Sequence, residues 1–286
     1  VILGHEFVGR IVALGPEVTG VALGQRVVPG AGSWCGQCPR CLAGESHLCR
    51  QYFVYGLHAH GGLADMAKVP ARMCHVVPQA CSDASAALAQ PLAVALHALR
   101  TSGVQHEQTL VVLGVGGIGS FLLAAAHLQG ISSIMALDVD DERLERAVRL
   151  GASCQVNVTR QDPQCVIHRL TAGEGADVVI EASGAPSSPP LALSLARRGG
   201  RVLLVGLQPA PCRLDLHDQV LREISLLSSN GHVCDIDLPA ALTLLSTHDL
   251  ATQLVDRVIP LARLVPDGLV ALADKRAKGK VLIALH

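Results

Sequence analysis

An excess of charge of one sign is what this 286-residue sequence lacks most plainly: 23 lysines and arginines stand against 24 aspartates and glutamates, and the basic residues are dispersed. That excludes the concentrated positive footprint with which proteins hold nucleic acid or an anionic membrane, and leaves a small molecule as the expected partner. Long apolar runs are missing as well. Residues 121–126 are typical of the longest, far short of the ~20 needed to cross a bilayer, so no transmembrane helix is expected. There is no internal repeat and no low-complexity segment. Aromatic residues are scarce, six in all, and five of them precede Cys81. What is present is a half-apolar composition at a length that provides two domains with a substantial core.

Two textures divide the chain. Up to about Cys81, short β-type runs at 7–14, 25–28, 63–69 and 75–77 are separated by Gly and Pro turns, which predicts an irregular β-barrel-like domain. Residues 84–101 read as a helical connector interrupted near its start by Pro91. Strand candidates at 109–113, 131–137, 177–181 and 201–206 then alternate with helical patterns at 118–129, 141–150 and 191–198, the sign of an α/β, doubly wound (Rossmann) parallel sheet. A strand at 223–229, a helix around 238–246 and a β-patterned tail at 280–285 follow. The expected organisation is a first domain over 1–92, a dinucleotide-binding domain over 93–230, and a return to the first domain over 231–286. Because the sequence opens at Val1 in what reads as the interior of a domain, the first domain is expected to be truncated at its front, and a targeting peptide upstream is left open.

Cys35, Cys38, Cys41 and Cys49 have the spacing C-x2-C-x2-C-x7-C in a loop opened by Gly30, Gly32 and Gly36 and turned at Pro39. Four thiolates so placed converge on one tetrahedral zinc with every position filled by protein, a structural site. Two disulfides or four reduced thiols are the other readings of these residues. Cys74, Cys81, Cys154, Cys165, Cys212 and Cys234 show no pairing rhythm, which suits a reducing compartment and predicts a cytoplasmic protein.

Gly114-Val115-Gly116-Gly117-Ile118-Gly119 follows an apolar strand and opens a helix. In that context Gly114 permits the tight turn, Gly116 lets the backbone approach a pyrophosphate, and Gly119 lets helix pack on strand. A plain βα turn is the alternative. Asp138 ends the next predicted strand 22 residues beyond Gly116, where a carboxylate accepts the adenosine ribose hydroxyls and repels a 2′-phosphate, favouring NAD over NADP. Asp140 and Asp141 read as caps or first-turn acids of the following helix. Arg143 either flanks the adenine or lies on that helix's solvated face.

Taken in order, Gly4-His5-Glu6, the four-cysteine loop, Pro91-Leu92-Ala93-Val94, the glycine turn and Gly279-Lys280-Val281-Leu282-Ile283 resemble the zinc-dependent medium-chain alcohol and polyol dehydrogenases, over the whole chain. The resemblance implies that the first domain is a GroES-like catalytic domain, and that a catalytic zinc accompanies the structural one in a cleft between domains. His5 would be a ligand of that zinc and Glu6 a ligand or a neighbouring acid; the family's Cys ligand and proton relay fall in a front segment that this sequence does not contain. Gln90 stands where sorbitol- and butanediol-type relatives carry Glu. A neutral amide leaves the site more cationic, lowering the pKa of a bound water or alcohol while weakening metal retention. Gln90 is read as a contact to substrate or to the metal's ligands, with direct ligation and an incidental role as alternatives.

The resemblance also places Val205, Gly206 and Leu207 beside the nicotinamide, with Ser228-Ser229-Asn230 a later matching segment, and Lys280 near the pyrophosphate; strand end, turn and surface lysine are the plainer readings. His58 and His60 belong to the substrate mouth or to a surface loop, and His97 reads as a packed core histidine. The implied activity is hydride transfer between a secondary alcohol or polyol and NAD, in a homo-oligomer, dimer or tetramer. L-Threonine 3-dehydrogenases share every one of these motifs. Two further readings are a zinc-free medium-chain reductase, against which Asp138, His5 and the four cysteines argue, and an NAD- and zinc-binding protein with a decayed active site, suggested by Gln90.

Overall fold

The computed structural model describes residues 1–274 and 276–285, which form two compact units: residues 1–94 with 231–286, and residues 95–230.

The second unit is a six-stranded, wholly parallel sheet in the order Ser225–Ser228, Ala196–Leu204, Ala176–Glu181, Thr109–Leu113, Ser133–Asp138, Cys154–Asn157. Its strands are near-continuous apolar runs because both faces are covered. Val111, Leu113, Met135, Leu137, Val179 and Val202 pack with Ile167, Leu193 and Leu195 on one side. Leu110, Val112, Ile134, Val178 and Ile180 alternate with them along the strands and are just as completely buried. The strand order reverses between Thr109–Leu113 and Ala176–Glu181, so the crevice outside their carboxyl ends is where an open sheet of this kind takes a ligand.

The helix Gly117–Leu128 is buried from Gly119 to Ala126, on all sides, and carries Phe121 into the core. Helix Asp141–Arg149 begins at Asp140, whose side chain accepts the Glu142 and Arg143 N–H groups at 3.0 and 3.2 Å, and it ends with Arg146 and Arg149 in its last turn, complementing the helix dipole.

Several sequence expectations change here. Strand Cys154–Asn157 and helix Pro163–Leu170 were not foreseen; at four and eight residues they are too short for apolar periodicity to declare them. The helical pattern over 191–198 overruns: the helix is Ser188–Leu195, and the chain turns extended at Ala196 to pair with Ala176. Pro91 interrupts nothing. It lies in the first turn of helix Ala89–Ser102, where its missing N–H would have had no intrahelical partner, and the break falls before it, after the short helix Asp83–Ala86.

In the first unit, Gly9–Arg10 and Cys74–Val76 flank Arg26–Pro29 in antiparallel pairing, Gly32–Ser33 pairs with Phe53–Val54, and Val255–Pro260 runs parallel to Lys280–Ala284. Residues 63–69 are not a strand. The N–H groups of Gly61, Gly62 and Leu63 donate to Ile2, Gly4 and Leu3 at 2.8, 2.8 and 3.0 Å, but Gly4 has φ +94° and the ladder stops at that bend. No helix among the described residues is long and apolar enough to cross a membrane.

Candidate cofactor and metal sites

Strand Thr109–Leu113 ends at Gly114, with φ +88° and the Ser183 backbone against it; a Cβ there would lie 2.5 Å from Ser183 Cβ. A Cβ on Gly119 would lie 1.9 Å from the Gly114 carbonyl oxygen. These two positions admit no side chain, which is the physical content of the motif at its first and last glycine. Gly116 and Gly117, with Ile118, form the helix start. Nothing stands within 4 Å of where a Gly117 Cβ would project, so the positively polarised end of the helix faces open space there, where an anion would be favoured.

Asp138 closes this turn from the neighbouring strand. Its Oδ2 accepts the Val115 N–H at 2.8 Å, and its Oδ1 accepts the Val139 and Asp140 N–H groups at 2.8 and 3.1 Å. Arg143 reaches back from its helix, with Nη1 3.8 Å from Asp138 Oδ1 and close over Gly116. It thus leans over the turn with a third of its side chain still exposed.

Glu181 is the group in this crevice that the sequence reading missed. It is fully buried (0 % exposed), and its Oε1 accepts from Ser183 N and Oγ at 2.7 and 2.6 Å, Gly184 N at 3.0 Å and Ser188 Oγ at 2.7 Å. Its carbonyl takes the N–H groups of Val205 and Gly206 at 2.8 and 3.0 Å. One residue therefore fixes the loop that packs on Gly114 and the segment Val205–Gly206; Leu207, next along, is exposed. A Cβ on Gly206 would fall 2.5 Å from Glu181 Oε2. A charged residue closing the apolar run Val178–Ile180, just before Ala182-Ser183-Gly184, was the available signal.

In the first unit the four cysteines of the loop converge. Sγ separations are 3.5 Å for Cys38–Cys41 and Cys49–Cys35 and 3.9 Å for Cys35–Cys41, all four lying within 4.8 Å of one another. Zn–S bonds of 2.3 Å in a tetrahedron put sulfurs about 3.8 Å apart, so the donor set fits zinc. Backbone N–H groups point at the sulfurs, from Cys35 and Gln51 to Cys49 at 3.3 Å and from Cys38 to Cys35 at 3.4 Å. The Cys41 and Arg50 N–H groups lower the Cys38 thiol to about 6, the Gln37 and Cys38 N–H groups lower Cys35, and burial pushes Cys41 up to about 12. No two of the ten cysteines are joined by a disulfide, and the loop sulfurs are spaced as zinc ligands.

The motif at the front is less complete. Glu6 forms an ion pair with the Lys280 ammonium, so these two residues neutralise each other. Among the described residues, His5 and Glu6 do not meet a third His, Cys, Asp or Glu ligand atom, and the residues present do not by themselves make a catalytic zinc site. Gln90 is 5 % exposed, in the first turn of helix Ala89–Ser102. His58 and His60 are acceptors for the backbone N–H groups of Val54 and Ile2, at 3.0 Å each. His97 is buried, with Nδ1 2.9 Å from Arg100.

Comparison with known proteins adds to this geometry. Residues 1–79 match the family model of the alcohol dehydrogenase GroES-like domain, and residues 117–247 that of the zinc-binding dehydrogenase. The L-threonine 3-dehydrogenase of Bacillus subtilis (strain 168) is 35% identical over 220 residues, 77% of this chain and 63% of the relative, so the chain spans just under two thirds of that protein. Alcohol dehydrogenase TADH from Thermus sp. ATN1 superposes with a TM-score of 0.92 at 31% identity, covering 99% of this chain and 84% of the other. A short chain alcohol dehydrogenase (rspB) from E. coli CFT073, solved with NADH, gives 0.91 at 28% identity and covers 99% and 83%. NAD as cofactor and a zinc held by the four-cysteine cluster accord with these matches.

Proposed function

Because the chain belongs to the zinc-dependent medium-chain alcohol dehydrogenase family, we propose that it passes hydride between the carbon of a secondary alcohol or polyol and NAD. The observation that supports this most is the glycine turn stitched to Asp138 by the 2.8 Å Val115 bond, with open space at Gly117. NAD, when bound, supplies the hydride acceptor. The chain's own residues position it. The helix start at Gly116, Gly117 and Ile118 receives the pyrophosphate. Asp138, with about four acceptor sites of which three are taken by backbone N–H groups, offers the remaining one to a ribose hydroxyl and repels a 2′-phosphate. Arg143 flanks the adenosine side, and Val205, Gly206 and Leu207, held through Glu181, flank the nicotinamide side.

Cys35, Cys38, Cys41 and Cys49 would hold a structural zinc that cross-links their loop. His5 is proposed as one ligand of a catalytic zinc, with Glu6 and Lys280 as its charged neighbours and Gln90 as a polar contact. Ten cysteines without a disulfide among them support a cytoplasmic location, where thiols stay reduced, and the chain is proposed to act as a homo-oligomer. A second reading, oxidation of L-threonine at its hydroxyl carbon, is favoured by the Bacillus subtilis relative. The test is NADH formation by the purified protein from L-threonine, a vicinal diol and a simple secondary alcohol, each with NAD and NADP. The highest kcat/KM on L-threonine selects the second reading. NAD binding with no turnover on any secondary alcohol replaces both with a binding protein whose active site has decayed.

A further inference from the structure

Outside every motif discussed so far, the first unit brings three ligand-bearing side chains to one point. His75 lies in strand Cys74–Val76, and Cys234 and Asp235 open helix Cys234–Thr247. Cys234 Sγ is 3.5 Å from His75 Nε2, His75 Nε2 is 3.8 Å from Asp235 Oδ1, and the three ligand atoms all lie within 4.8 Å of one another. We propose that His75, Cys234 and Asp235 form a further metal site, for zinc or a divalent ion of similar ligand preference.

The distances are those the coordination needs. Zn–S of 2.3 Å and Zn–N of 2.0–2.1 Å at the tetrahedral angle put sulfur and nitrogen about 3.5 Å apart, and the nitrogen and a carboxylate oxygen about 3.4 Å apart. The first separation is already met, and the second is reached by a small rotation of Asp235, which is 62% exposed and unconstrained by packing. One thiolate and one carboxylate balance the charge of a divalent ion, and the imidazole adds a neutral donor. On binding, the Cys234 S–H bond gives its proton to solvent as the sulfur–metal bond forms, with no change of oxidation state.

The sulfur is held in place from behind. Cys234 is 4 % exposed, and a Cβ at Gly30 would lie 2.6 Å from its Sγ, so the glycine that opens the four-cysteine loop is required by this thiol. The Asp235 side faces solvent, leaving the fourth coordination position for water or an exogenous ligand. Such an ion would tie the start of the Cys234–Thr247 helix to a strand 159 residues earlier, within one unit. A cross-link of that kind stabilises by closing a long loop.

This inference does not rest on the hydride-transfer reading, and its test does not use activity. Zinc per chain is measured by elemental mass spectrometry on the intact dialysed protein, and melting temperature is followed as zinc chloride is added, for wild type, His75→Gln, Asp235→Asn, Cys234→Ala and, as a control, His5→Ala. The expected result is that wild type holds one zinc more than His75→Gln and Cys234→Ala. A His75→Gln/Cys234→Ala double variant loses no more zinc than either single one, and added zinc raises the melting temperature of wild type and His5→Ala but not of the three single site variants. Zinc content and zinc-dependent melting in His75→Gln and Asp235→Asn equal to wild type would overturn the site, and those two partly exposed positions decide the matter should Cys234→Ala fail to fold.

Discussion

Replacing Asp138 tests the cofactor half most directly, because the structure gives its carboxylate two roles at once. In Asp138→Ala three backbone N–H groups lose their acceptor: that of the buried Val115, and those of Val139 and Asp140 nearer solvent. A hydrogen bond to a charged acceptor contributes about 1.5–3 kcal/mol, and a buried donor left unpaired carries its full desolvation cost. Counting the Val115 bond in full and the other two at a fraction, the loss is about 2–4 kcal/mol. Asp138→Asn is expected to recover little of it, because whichever way the amide is turned its NH2 faces at least one of the N–H groups. Denaturant unfolding of both variants, followed by a probe in the nucleotide-binding unit, measures the first role. The ratio of kcat/KM for NAD to that for NADP measures the second, and it should fall in both variants as the charge that repels a 2′-phosphate is removed. An Asp138→Asn protein within about 0.5 kcal/mol of wild type, a difference at the level of ordinary surface substitutions, would refute the stitching role. An unchanged cofactor ratio would refute the ribose role.

Three further outcomes follow from the same geometry. Gly119→Ala drives a methyl into the Gly114 carbonyl, 1.9 Å away, and is expected to lower stability by about 1–3 kcal/mol and to abolish the NADH fluorescence change on titration. Cys38→Ser should remove one zinc per chain by elemental analysis and lower the melting temperature while NAD affinity, housed in the other unit, stays within twofold. Burial alone would raise the Asp177 carboxyl, but the Arg197 guanidinium at 2.7 Å and the Thr109 N–H at 2.8 Å outweigh it and hold it below the ordinary carboxylate value. A carboxyl lowered in the folded state contributes stability that is present above its unfolded value of about 4 and is lost as pH falls through the folded one. Asp177→Asn should therefore be less stable than wild type at neutral pH, with the gap narrowing below about pH 4 in unfolding curves taken at several pH values.

Much of the nucleotide-binding unit is legible from the order of residues. Its strands announce themselves as apolar runs because both faces of a parallel sheet are covered, and the glycine turn and Asp138 lie within one βαβ unit, where spacing alone dictates proximity. The four-cysteine loop is readable for the same reason, its ligands spanning residues 35–49. The first unit is harder to read. Its strands are two to six residues long, and its pairings depend on bends such as that at Gly4, which propensity does not announce.

Local sequence by itself determined which turns form, which helices are capped and which thiols gather, since each depends on side chains a few residues apart whose spacing the backbone geometry sets. Only the tertiary structure decided that Glu6 meets Lys280, 274 residues away, that Glu181 gathers two loops into one scaffold, and that Gly30 makes room for the sulfur of Cys234. Those contacts join parts of the chain whose approach is set by how the core packs, and no spacing along the sequence encodes them.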